Sequence, residues 1–74
     1  MENPKWWSQV SDAIDKFWQD NHYPPTLRDL MGMTGITSTS FMRYITHRLP
    51  GIRITAGGHP VPDWVDQAIE REKE

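Results

Sequence analysis

Four arginines, Arg28, Arg43, Arg48 and Arg53, fall in the middle of this 74-residue chain, and each could hold an anion. A guanidinium is planar, permanently charged and forked, so it grips a phosphate or the O6/N7 edge of guanine through two N–H groups at once. Around these arginines stand the hydroxyls of Thr26, Thr37, Ser38, Thr39 and Ser40 and the imidazoles of His22, His47 and His59. No carboxylate occurs between Asp29 and Asp63. The net charge of −2 disfavours a polyanionic partner, but its distribution does the opposite. Residues 1–20 carry −2, residues 21–62 carry +3 and residues 63–74 carry −3. A basic middle between acidic ends suits one surface turned toward nucleic acid. The competing reading is that the arginines are ordinary solvated side chains, and charge alone decides neither.

The other reactive side chains form no catalytic constellation, and no enzyme activity, cofactor or metal is expected. The histidines are scattered, with no HExxH spacing and no cysteine, so a zinc site is not expected. Asp12 and Asp15 read as a solvated helix face, and Gly57-Gly58 is too short and wrongly placed to cradle a nucleotide phosphate. Without cysteine there is no disulfide staple. No apolar run approaches the ~20 residues of a membrane span. Met1–Lys5 lacks the apolar region of a signal peptide, so the cytoplasm is the expected compartment.

Positioning such side chains requires a scaffold, and the length suits a single domain. A chain this short hides only about 60% of its unfolded surface, so four Trp, two Phe and two Tyr fit its need for a dense core. A first helix is expected over residues 4–21, capped by Asn3 with Pro4 in its first position. Trp6, Trp7, Val10, Ala13, Ile14, Phe17 and Trp18 form its apolar stripe, one of the two adjacent tryptophans lying at the edge. Pro24-Pro25 cannot continue it. Thr26 with Asp29 resembles a capping box for a second helix over 27–33, with Leu27, Leu30 and Met31 or Met33 inward. Gly35 tolerates φ > 0 in the turn, and Ile36 tucks inward. Thr37 or Ser38 caps a third helix over 39–49, whose inward stripe is Met42, Ile45 and Leu49 with Phe41 beside it. Its other face, Thr39, Ser40, Arg43, Tyr44, Thr46 and His47, is free of acid. A helix merely facing water usually mixes Glu with Lys, so this face is the best residue-level sign of phosphate contact. Pro50-Gly51 ends the helix. Ile52-Arg53-Ile54-Thr55 alternates like a strand, Ala56-Gly57-Gly58-His59 signals a hairpin, and Pro60-Val61-Pro62 returns. A last helix is expected over 63–72, with Asp63 as N-cap and Trp64, Val65, Ala68 and Ile69 on its apolar side.

Two short helices about a Gly-containing turn form a helix-turn-helix, and three helices followed by a β-ribbon match its winged form. The segment Tyr23-Pro24-Pro25-Thr26-Leu27-Arg28-Asp29-Leu30, then Gly35-Ile36-Thr37-Ser38, resembles the DNA-binding domain of the LexA repressor family. The resemblance spans roughly residues 7–61 and is specific over Tyr23–Ser38. It implies a mostly α winged helix-turn-helix with a three-helix core, a two-stranded wing over 52–61 and a C-terminal helix. The function it implies is sequence-specific double-stranded DNA binding, with the third helix in the major groove, as in a small transcriptional regulator such as a repressor. By that resemblance Ser38, Thr39, Ser40, Arg43 and His47 face the groove, joined by Thr37 in the preceding turn, and Arg43 is the expected base reader. Thr26 and Arg28 contact the backbone, and Arg53 with Gly57, Gly58 and His59 reaches phosphates or the minor groove. Tyr44 and Arg48 are further backbone contacts, or Tyr44 packs on the wing.

The chain departs from the family at Thr34 and Thr46, where an apolar residue is usual, and in a shorter link between third helix and strand. It leaves no room for the family's self-cleaving protease domain, so the damage-response role is not carried over. The rival reading is a winged-helix protein-interaction module that does not bind DNA, favoured by the acidic C-terminal helix. A homodimer through Trp64 and Ile69 is a further expectation, set against that helix packing back on the first.

Overall fold

Apolar residues spaced three and four apart give the first helix a buried side, and everything else packs upon it. The computed structural model describes residues 4–67. Its elements are α1 (Pro4–Asn21), α2 (Leu27–Thr34), α3 (Thr39–Thr46), β1 (Ile52–Ile54) and β2 (Pro60–Pro62). Helical conformation resumes over residues 63–67 (α4). The architecture is mostly helical with one small antiparallel sheet, whose register pairs Ile52 with Pro62, Arg53 with Val61 and Ile54 with Pro60. The expected cap Asn3 lies outside the described residues, as do Ala68, Ile69 and the expected end of α4.

Val10, Ala13 and Ile14 of α1 meet Leu30 of α2, Ile36 of the turn, Met42 and Ile45 of α3, and Leu49. Trp6, Trp7 and Trp18 lie partly buried around this centre, as amphipathic rings do when one edge must stay wet. Trp6 meets Phe41 edge-on at 6.5 Å between centroids, and Trp18 donates its indole N–H to the carbonyl of Pro60 at 3.0 Å. Phe17, expected in the same stripe, turns instead to Tyr23, edge-on at 5.3 Å. Of the two candidate methionines, Met31 packs on the core and Met33 is exposed.

Local hydrogen bonds explain the helix boundaries. His22 takes a φ of 63° where α1 stops, ahead of the two prolines. Thr26 caps α2 in a complete capping box: Asp29 N–H donates to Thr26 Oγ1 at 3.1 Å, and Thr26 N–H donates to Asp29 Oδ2 at 3.0 Å. Gly35 closes α2 at φ 81°, its N–H donating to Met31 O. Ser38, rather than Thr37, caps α3 by accepting from Phe41 N–H at 3.2 Å.

Three expectations are corrected. The third helix ends at Thr46 and not at 49, because the ring of Pro50 would meet the Thr46 carbonyl and disfavours helical geometry at Leu49. The chain tightens there, with Arg48 N–H donating to Ile45 O, and Leu49 still reaches the core. Thr46, placed on the polar face, is buried; its hydroxyl is satisfied by the Met42 and Arg43 carbonyls at 3.1 and 3.0 Å. Thr34 disposes of its hydroxyl in the same way, on Leu30 O at 2.8 Å, so each departure from an apolar residue is absorbed by its own helix. Asp63 is already helical, so it stands in the first turn of α4 rather than at its cap, and its N–H donates to Gly51 O at 2.9 Å. Trp64 donates its indole N–H to Asp15 Oδ1 at 2.9 Å, which docks α4 on α1 of the same chain, while its ring stays exposed. No described helix is long and apolar enough to cross a membrane.

Candidate functional site

The capping box at Thr26, the C-terminal half of α3 and the tip of the hairpin converge on one cleft of about 550 Å³. Pro25, Thr46 and Pro60, all buried, and the half-buried Leu27 form its floor. Arg28, Arg43, His47 and His59 are exposed and form its rim, and no carboxylate lines it. The sequence assigned Thr26, Arg28, Arg43, His47, Gly57, Gly58 and His59 to a common surface, and all of them border this cleft. Thr26 contributes through its place, since its hydroxyl is engaged with Asp29.

A second, shallower recess of about 330 Å³ runs along the other side of α3, bordered by Ser40, Arg43, Tyr44, His47 and Arg48. Arg43 and His47 border both recesses, so they stand on the crest between them. Arg48 lies over the Tyr44 ring at 4.0 Å, and Tyr44 meets Trp7 edge-on at 6.5 Å between centroids. Tyr44 therefore packs on Trp7 of α1 and under Arg48. A cation over a π face is held in place while keeping its charge, which a carboxylate partner would neutralise. Among the described residues no carboxylate forms an ion pair with Arg28, Arg43 or Arg48.

Thr37, Ser38 and Thr39 are exposed at the start of α3 but border neither recess. The Ser38 hydroxyl is spent on its cap, and Thr39 Oγ1 lies 3.8 Å from Met31 Sδ. His22 stands at the end of α1, away from both.

Arg53 differs from Arg28, Arg43 and Arg48 in facing a carboxylate. Its Nε and Nη2 donate to Asp66 Oδ2 and Oδ1 at 2.9 and 2.8 Å, a two-point pair with α4. These hydrogen bonds, and then the opposed charges, raise the Arg53 pKa above its ordinary value. The same hydrogen bonds hold the Asp66 carboxyl below the usual carboxylate range. The guanidinium expected on phosphate is committed within the chain. The hairpin glycines also differ from one another: Gly58 takes a φ of 83°, whereas Gly57 does not enter the positive-φ region.

Sequence reasoning missed three floor residues. Pro25, Leu27 and Pro60 adjoin assigned residues in the chain and could have been included on that ground. Thr46 was placed on the same face as Arg43 and His47, but its burial was not legible, because it depends on how α3 seats on α1 and α2. Among the described residues no group of three His, Asp or Glu side chains is placed to hold a metal ion. Comparison with known proteins finds no family model, no curated relative and no solved structure that matches this chain.

Proposed function

We propose that this chain binds double-stranded DNA sequence-specifically, as a small transcriptional regulator of winged helix-turn-helix type. The observation that carries the reading is the carboxylate-free surface on which Arg28, Arg43 and Arg48 keep their charge on either side of one exposed helix. An α-helix with its side chains is about 10–12 Å across, and the major groove is about 12 Å wide, so α3 fits the groove by its thickness. On α3, Ser40, Arg43 and His47 are all exposed and recur at spacings of three and four, so one helix face meets base edges. Arg43, on the crest, is the base reader, suited to guanine O6 and N7. Arg28 and His59 at the cleft and Arg48 at the other recess contact the two flanking backbones. These contacts fix register without reading sequence. The hairpin is the wing.

The test is fluorescence anisotropy against duplex DNA across a range of salt, with duplexes chosen by selection from a random pool. Binding should weaken steeply as salt rises, because each neutralised phosphate releases counterions. A flat response would sink the proposal. A pool that yields no enriched sequence would favour the protein-interaction module.

A further inference from the structure

We infer that Arg53 and Asp66 are positioning residues: their two-point clasp sets the pose of the β1–β2 hairpin against the basic cleft, and so governs DNA affinity without touching DNA. The inference rests on the DNA-binding reading above.

The hairpin has three residues per strand, too few to hold its own shape in water. It is gripped from both faces. Strand alternation puts Arg53 and its partner Val61 on one face and Ile52, Ile54, Pro60 and Pro62 on the other. On the inner side, Ile52 packs on the core and the Pro60 carbonyl takes the Trp18 indole N–H. The Arg53 face meets α4 through the pair with Asp66, while Asp63 N–H holds Gly51 at the root of β1. The tip, Gly57–His59, borders the cleft together with Pro60 of β2, and the tip makes none of these contacts with α4. Its own hydrogen bonds run between Thr55, Gly58 and His59, which ties the tip to the residue that follows β1.

A single hydrogen bond between strand and helix would allow a pivot, but two parallel N–H···O bonds fix rotation as well as distance. The pair is exposed, so it contributes little to stability. Its effect is therefore geometric: it fixes where the tip stands relative to Arg43 and His47.

A direct phosphate contact by Arg53, as its residue type suggests, makes the opposite forecast for Asp66. Freeing the guanidinium would then strengthen binding. The experiment measures affinity for the selected duplex at about 0.15 M salt, where charges beyond about 8 Å are largely screened. The variants are Arg53→Ala, Asp66→Ala, the double variant, and the exchange Arg53→Asp with Asp66→Arg, which keeps the net charge. Amide spectra of Thr55–His59 are recorded for each. As positioning residues, both single variants weaken binding by about threefold, the double variant weakens it no further, the exchange restores it, and the tip amides shift in the singles. Asp66→Ala binding more tightly, or as the wild type does, overturns the inference while leaving the DNA-binding reading intact. So does an exchange variant as weak as Arg53→Ala. A wild-type protein that binds no duplex overturns the DNA-binding reading, and this inference falls with it.

Discussion

The cleft and the outer face of the hairpin treat arginine in opposite ways. Arg28 and Arg43 stand at the cleft with no carboxylate lining it, whereas Arg53, on the strand that leads to the same hairpin tip, is held by Asp66 at two points. All three belong to the same basic stretch and are exposed. The difference lies in α4, which brings an acidic residue thirteen positions away onto one of them. A count of charges along the chain therefore overstates what is available to an anion. What remains is smaller and more localised, a crest with Arg43 and His47 between two recesses.

The comparison breaks most severely if the core that seats the three helices is opened. Leu30 is fully buried where α1, α2 and α3 meet, so Leu30→Ala should cost about 2–5 kcal/mol of unfolding free energy by denaturant titration. A loss below about 1 kcal/mol would mean that the three helices do not share this centre. The next effect sharpens the role of the crest. On the proposed DNA site Arg43→Ala should cost about 1–3 kcal/mol of binding and relax preference at one base position. An equal loss on every sequence would demote Arg43 to a backbone contact.

Smaller effects separate the two sides of the hairpin. Gly58→Ala should destabilise by about 1 kcal/mol, since an L side chain is disfavoured at its φ of 83° although space for a Cβ is open. Gly57→Ala should cost less, because its Cβ would meet the His59 ring at 3.2 Å, which can turn, and Thr55 Oγ1 at 3.9 Å, an ordinary contact. Equal melting temperatures for the two variants would contradict this assignment of the turn. The least costly change is acidification. Asp66 has a lowered pKa in the folded chain, so its stabilising contribution is present above the ordinary carboxylate value, about 4, and is lost as pH falls through the lowered one. Carboxyl shifts followed from neutral pH downward should show Asp66 titrating below the ordinary carboxylate value. A midpoint at or above the ordinary value would deny the clasp in solution.

Features closed within four residues were legible in the chain. The Thr26–Asp29 capping box, the positive φ at Gly35 and the cap at Ser38 each need only neighbours in sequence, and each stands where its residues announced it. Met42 and Ile45 on the inward side of α3 followed from spacing alone, whereas the burial of Thr46 did not. The end of α3 was legible in Pro50, but the stop is set four residues earlier by the carbonyl that the ring would strike.

The chain by itself determined the order of its elements, the capping box of α2 and a basic stretch free of acid, because propensity, capping and turn chemistry act over one helical turn. Only the tertiary structure decided which cations face a carboxylate. The Arg53–Asp66, Trp18–Pro60 and Trp64–Asp15 bonds join positions 13, 42 and 49 residues apart. Such pairs form only after the core has packed, and no local pattern encodes the angle at which α4 and the hairpin meet. The same packing buries Thr46 and gathers Arg28, Arg43, His47 and His59 around one cleft.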